Sequence, residues 1–145
     1  MVEKLQRPTL RHLYIVGWLA LVTVTLLQSS AHPVVGPPAP PGHPDAAREL
    51  FLTAGHVVAF SVMTALLWWA LRPARHALLV GVVFCVVYGA ATELLQTLVR
   101  DRGASLDDFA VDCLVSGITA LAIYWRASIP SHRLTPSRGA SRRLS

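Results

Sequence analysis

Four apolar stretches, each close to 20 residues long, constrain this chain more than any other feature. They cover about residues 12–29, 50–71, 76–99 and 109–126. A helix that crosses the hydrocarbon core of a bilayer needs about 20 mostly apolar residues. Charged residues make up only 14% of the chain and hydrophobic residues 53%, whereas a soluble domain is usually about a quarter charged. The pattern predicts an all-α integral membrane bundle of four transmembrane helices.

Polar segments separate these stretches and divide the chain. We expect residues 1–11 to form a cytoplasmic N-terminus, residues 12–126 the membrane domain and residues 127–145 a disordered basic tail. Between the first two stretches, residues 32–44 are rich in Pro and Gly, which predicts an extended loop. Ser105 followed by Asp108 is typical of a capping box, which would begin the fourth helix.

The basic residues are distributed unevenly about these helices. Three precede the first stretch, two follow the second and five follow the fourth, whereas only three lie on the other side. Lys and Arg are retained on the cytoplasmic side of a membrane. Ten basic residues against three therefore predict that both termini lie in the cytoplasm. Membrane lipids are the expected surroundings, and the sequence leaves the oligomeric state open.

Residues 1–31 also fit a second interpretation. They have a basic start, an apolar core and Ser29, Ser30 and Ala31 as a cleavage site, which together are typical of a signal peptide. Cleavage would leave three helices. We expect the first helix to be retained.

Polar residues of three helices lie at similar depths on the predicted outer side. At 1.5 Å per residue, His56 lies roughly 9 Å from the outer end of its stretch, Glu93 roughly 9 Å and Asp112 roughly 5 Å. Charged groups inside a membrane are costly and usually serve a function. We therefore expect these three side chains to form one polar cluster.

The spacing of the polar residues favours the same arrangement. Glu93, Gln96 and Arg100 follow i, i+3, i+7, which is one stripe of a helix, and Asp108 and Asp112 are spaced i, i+4. A short loop joins the two helices, so they would pack antiparallel with the stripes facing each other. The candidate binding residues are His56, Glu93, Gln96, Arg100, Arg102, Ser105, Asp108 and Asp112.

Several of these residues also carry a resemblance to a known family. Glu93 and Gln96 form an E-x-x-Q pattern, and Arg102, Ser105 and Asp108 follow it. This order resembles the signature of the VanZ-like membrane family and covers about residues 50–126.

The helix before this signature matches the family in part. His56 and Phe60 fit the family pattern, whereas Leu52 and Thr53 stand where the family has an Asp-Lys pair. Asp112 stands where the family usually has Asn.

The resemblance implies a multi-pass protein of the bacterial inner (plasma) membrane that acts in the cell envelope. Members of the family are linked to resistance to glycopeptide antibiotics of the teicoplanin type.

Three hypotheses for function follow. In the first, the cluster binds an anionic or lipid-linked envelope component: Arg100 and Arg102 hold its phosphate or carboxylate, and Glu93, Asp108 and Asp112 orient the arginines. In the second, the protein is a small membrane enzyme acting on a lipid-linked or acyl substrate. Its general base is Glu93 or Asp108, and His56 is the proton partner. In the third, the cluster only fixes the packing of the helices, and the protein is an accessory subunit that assists another membrane protein.

The sequence favours the first hypothesis over an enzyme. It has no nucleophilic Ser or Cys beside a candidate base, no nucleotide-binding loop and no local spacing of zinc ligands. We therefore expect no cofactor and no metal. No aromatic residues alternate with the arginines, which argues against binding of nucleic acid.

Overall fold

The computed structural model describes residues 2–28, 46–72, 74–99 and 104–129, with side chains from residue 10 onward. The Pro-rich segment 32–44 and the tail after residue 129 lie outside these ranges, so the predictions for them stay predictions.

The described residues form four α-helices and no strand, which confirms the predicted all-α class. The helices are α1 (Val2–Leu26), α2 (Ala46–Leu71), α3 (Ala77–Gln96) and α4 (Leu106–Ser128). Helices α2, α3 and α4 pack against one another, and α1 lies mainly against α2.

Several helix boundaries differ from the predicted stretches, and two of the differences have a local cause. Helix α1 begins at Val2 rather than near residue 12, because the residues before the apolar stretch include good helix formers such as Glu, Lys, Leu and Gln. Helix α3 ends at Gln96, and the next three residues form i→i−3 hydrogen bonds. The hydroxyl of Thr97 donates to the carbonyl of Leu94 at 2.7 Å, a local bond that competes with helix continuation.

The bundle exposes large apolar side chains and buries polar ones. Large apolar side chains are exposed on all four helices, as for Leu13, Val58, Val87 and Leu114, each at least 57% exposed. Beside a small apolar core that includes Phe60 and Met63, the interior contains seven polar side chains that are at most 5% exposed: His56, Thr64, Thr92, Glu93, Gln96, Asp112 and Ser116.

Two of the helices are long and apolar enough to cross a membrane. They are α2 and α3, and only 28% of the apolar window of each is buried inside the protein. The apolar part of α1, Leu10–Leu26, is shorter. The fold thus gives two candidate spans, which indicate membrane association, and the four-span arrangement stays a prediction.

Hydrogen bonds attach α1 to α3. The side-chain amide of Gln96 donates to the carbonyl of Leu26 at 3.2 Å, which satisfies one of the free carbonyls at the end of α1. The hydroxyls of Thr23 and Tyr88 lie 2.7 Å apart and form a second bond. Helix α1 is therefore a packed member of the bundle.

Gly89 allows α3 to approach its neighbours closely. A Cβ atom at this position would lie 3.3 Å from Oδ2 of Asp112 and 3.4 Å from the ring of Phe60. Both neighbours are at most 1% exposed, so neither has room to withdraw.

We expect Gly89→Ala to lower the free energy of unfolding by about 1 kcal/mol, because overpacking of about 1–3 kcal/mol outweighs the gain in helix propensity of about 1 kcal/mol. Gly117→Ala in α4 is the matched control, since a Cβ there meets nothing within 4 Å, and it should be neutral or stabilising. Unfolding of both variants in detergent micelles, followed by circular dichroism, compares them. Equal stability of the two would contradict this account of Gly89.

Candidate functional site

Polar side chains from three helices meet at the end of the bundle where α3 leads into α4. His56 comes from α2, Glu93 from α3, and Asp108 and Asp112 from the first two turns of α4. One ligand atom each from His56, Glu93 and Asp108 lies within 4.8 Å of the other two. The structure therefore brings four of the eight candidate residues into one cluster, and their role in function stays a prediction.

A buried hydrogen bond joins His56 to Asp112. Nδ1 of the imidazole lies 2.8 Å from Oδ1 of Asp112, and both residues are only 1% exposed. Because a carboxylate accepts, Nδ1 carries the hydrogen, and the neutral ring then has its lone pair on Nε2. The imidazole also lies parallel to the ring of Phe60, with the two centroids 6.3 Å apart. Its orientation is thus fixed from two sides.

Nε2 of His56 faces a second carboxylate, that of Asp108. It lies 3.9 Å from Oδ2 of Asp108, which is too long for a hydrogen bond. The Asp108 side chain is 26% exposed and lies in the first turn of α4, where the helix dipole favours a negative charge. Nε2 therefore faces a partly open space bounded by acidic groups.

Glu93 takes part in the cap of α4. Ser105 is the N-cap residue, and its hydroxyl accepts a hydrogen bond from the backbone N–H of Asp108 at 3.1 Å. This half of the predicted capping box is confirmed. In a complete box the residue at Asp108 would accept from the N–H of Ser105, but Oε2 of Glu93 accepts it instead, at 2.6 Å. The carboxylate of Asp108 is thus left for the cluster.

Three polar atoms of the cluster have no hydrogen-bond partner among the described residues. They are Nε2 of His56, Oε1 of Glu93 and Oδ2 of Asp112. A buried polar atom without a partner costs about 1–3 kcal/mol, and such atoms in a native protein often mark a functional site. A cluster that served packing alone would satisfy its atoms internally.

Gln96, another predicted site residue, bonds to α1, and its predicted role in binding stays a prediction. Its amide nitrogen is directed to the carbonyl of Leu26 at the end of α1. It therefore contributes to helix packing. Arg100 and Arg102 lie outside the described residues, so their position above the cluster stays a prediction.

An apolar cavity of about 140 Å³, partly open to the surface, lies between α1 and α2, and His56 is among its lining residues. No motif in the sequence indicates it, because its walls carry no distinctive chemistry. The lining residues include Leu26, Phe51, Leu52, Gly55, His56 and Ala59.

The arrangement has two chemical capacities. The unpaired nitrogen of His56 and the oxygens of Glu93 and Asp108 are acceptors, so together they can hold a cation or receive a proton. The adjoining cavity can accommodate an apolar group. The site as a whole thus has a polar compartment and an apolar one side by side.

Comparison of the chain with models of known protein families, with curated proteins and with solved structures finds no match. The resemblance to the VanZ-like family therefore stays a prediction from the sequence pattern.

Proposed function

We propose that the chain is a four-span protein of the bacterial cell envelope, located in the inner (plasma) membrane, that binds an anionic or lipid-linked envelope component at the outer leaflet. The observation that carries this proposal is the junction of the apolar cavity with the buried cluster at His56. An amphiphilic ligand would match this site, because its polar head would contact the cluster and its apolar chain would occupy the cavity.

The surfaces of α1 and α4 support four spans. In α1, Leu13 and Val16 are each 62% exposed, and in α4, Leu114 is 63% and Ile118 57% exposed. Extended apolar surfaces of this kind mark contact with another apolar phase, and a bilayer would cover them. The hydrogen bonds that join α1 to α3 support its retention as the first span rather than its removal as a signal peptide.

Contacts at the opposite end of the bundle support the orientation. The guanidinium of Arg72 lies 4.3 Å from the ring centroid of Trp68, and that of Arg11 lies 5.0 Å from the ring centroid of Trp69. Tryptophan is enriched at membrane interfaces, and arginine is retained on the cytoplasmic side. This end would lie in the cytoplasm, which places the cluster at the outer leaflet.

Labelling of single thiols tests this topology. In a variant with Cys85→Ala and Cys113→Ala, we expect a thiol introduced by Asp107→Cys to react with a membrane-impermeant maleimide on spheroplasts. A thiol introduced by Arg75→Cys should react only after lysis, because it lies in the turn between α2 and α3. Both side chains are exposed, so accessibility within the fold does not distinguish them. Labelling of both on spheroplasts would contradict the orientation.

The predicted basic residues complete the proposed polar compartment. Arg100 and Arg102 precede α4 directly in sequence, and arginine binds phosphate and carboxylate through paired hydrogen bonds. In this proposal they hold the anionic head, while Glu93 and Asp108 orient them or accept hydrogen bonds from the ligand. From the family resemblance we also propose that binding of this component is linked to resistance to glycopeptide antibiotics of the teicoplanin type.

One observation favours a small membrane enzyme as a second candidate. His56 is oriented by Asp112 and presents Nε2 to Asp108 at 3.9 Å, which is the arrangement of an imidazole that transfers protons. The reaction would be on a lipid-linked or acyl substrate, with Glu93 or Asp108 as base. The packing-only hypothesis is less well supported, because it requires the three unpartnered atoms to be satisfied, and no described residue satisfies them.

Filling the cavity tests the binding proposal. Gly55 lines it, and a Cβ at this position meets nothing within 4 Å, so Gly55→Leu should occupy the space without displacing the backbone. The probe is a diazirine analogue of a polyprenyl phosphate, photo-crosslinked to the protein in phospholipid vesicles. We expect saturable crosslinking that unlabelled polyprenyl phosphate reduces, that uncharged polyprenol reduces less, and that Gly55→Leu weakens several-fold.

Gly17→Leu in α1 is the matched control, since a Cβ there also meets nothing within 4 Å and the residue does not line the cavity. It should crosslink like the wild type. Crosslinking that does not saturate, or that Gly55→Leu leaves unchanged, would overturn the proposed ligand class.

A further inference from the structure

We infer that His56, Glu93 and Asp108 form a binding site for one divalent transition-metal cation, with Zn²⁺ as the representative ion. The inference deepens the proposed function, because it assigns a cation to the same site, and it rests on that proposal for the role of the ion. The metal site itself rests on the geometry of the three side chains.

The separation of the ligand atoms fits a single ion. Zn²⁺ binds imidazole nitrogen at about 2.0–2.1 Å and carboxylate oxygen at about 2.0–2.2 Å in tetrahedral geometry, so two such atoms on one ion are about 3.4 Å apart. Nε2 of His56 and Oδ2 of Asp108 are 3.9 Å apart. All three ligand atoms lie within 4.8 Å of one another, so closing around the ion requires each of them to move by no more than about 0.8 Å.

Two of the three side chains in this group each carry an acceptor atom without a partner. Nε2 of His56 and Oε1 of Glu93 are buried and accept no hydrogen bond from the described residues. The side chains that carry them are more than nine-tenths buried, since His56 is 1% and Glu93 5% exposed. A bound cation would use both lone pairs and would remove the cost of leaving them unpaired.

Hydrogen bonds around the group hold the side chains of His56 and Glu93 in fixed orientations, as is usual for metal ligands. A metal-binding histidine usually donates its second ring N–H to a carboxylate, which fixes the tautomer and the ring orientation. Asp112 accepts from Nδ1 of His56 at 2.8 Å in this way. Glu93 is held through Oε2 by the N–H of Ser105 at 2.6 Å, which leaves its other oxygen for the ion.

The ligand types select the class of cation. An imidazole with two carboxylates suits Zn²⁺ and other first-row divalent metals, whereas Ca²⁺ and Mg²⁺ prefer oxygen ligands alone. Three protein ligands leave a coordination position open. That position faces the partly exposed side of the cluster at Asp108, where a phosphate or carboxylate of the proposed ligand would bind the ion directly.

Metal binding to the full chain in detergent, freed of metal with a chelator, tests the inference without any lipid. Calorimetric titration with Zn²⁺ should give one equivalent per chain, and titration with Ca²⁺ should give no binding at the same site. Glu93→Gln and Asp108→Asn keep the shape of each side chain and should each weaken the affinity for Zn²⁺ about tenfold or more, since even orienting partners contribute that much.

Asp107→Asn is the matched control, because Asp107 is the neighbouring carboxylate of α4 and is exposed away from the group. It should bind Zn²⁺ like the wild type. X-ray absorption of the Zn²⁺-loaded protein should show nitrogen and oxygen ligands without sulfur. Circular dichroism of each variant verifies that the fold is retained. For Glu93→Gln, where the cap of α4 is affected, the partly exposed Asp108→Asn provides the independent comparison.

Binding of less than one equivalent to the folded wild type, or equal affinity in Asp108→Asn and Asp107→Asn, would overturn the metal site. The two proposals fail separately. If the protein binds Zn²⁺ but shows no saturable lipid crosslinking, the metal site is retained and the proposed ligand is rejected. If the protein binds no Zn²⁺ and its lipid crosslinking is unchanged by a chelator, only the metal site is rejected.

Discussion

The hydrogen bond between His56 and Asp112 is the interaction on which the arrangement of this bundle depends. It joins α2 to α4 through two side chains that are each 1% exposed. If either helix rotated about its axis, both groups would lose their partner in an apolar environment, which is costly. The bond therefore sets the rotation of two helices. It also fixes which nitrogen of His56 is presented to Glu93 and Asp108.

The remaining contacts follow the same logic. If the bundle lies in a bilayer, as we propose, the hydrophobic effect contributes little between its helices, and close packing and hydrogen bonds hold them together. The Glu93 carboxylate of α3 accepts the N–H of Ser105, the N-cap residue of α4. The Gln96 amide donates to the carbonyl of Leu26, the last residue of α1. Gly89 brings α3 within contact distance of Phe60 and Asp112. Buried polar contacts thus join the helices to one another, while large apolar side chains are exposed on their outer surfaces.

The helices and the approximate meeting point of the polar groups could be predicted from the sequence. Apolar length identified the helical segments, and the i, i+3 and i, i+4 spacing placed the polar residues on shared faces. The predicted distances of His56 and Glu93 from their helix ends were less accurate. His56 lies ten residues inside α2 and Glu93 three residues from the end of α3, or roughly 15 Å and 4.5 Å, because the helix ends are staggered.

Other features of the site had no signal in the sequence. The partner of Gln96 is a backbone carbonyl of α1, and the N–H of Ser105 is bound by a residue of another helix rather than by the expected Asp108. The apolar cavity is formed by ordinary residues such as Leu26 and Ala59. The ligand group of His56, Glu93 and Asp108 comes from three helices, so it has none of the local spacing by which metal sites are recognised.

The central claim is that Asp112 holds Nδ1 of His56 and leaves Nε2 open to a ligand. Nitrogen-15 NMR of histidine-labelled protein at alkaline pH, where the ring is neutral, measures this directly, and His56→Gln assigns the signal. The account predicts a single tautomer with hydrogen on Nδ1 and a bare Nε2. A ring protonated on Nε2, or the averaged signal of an exposed imidazole, would contradict it.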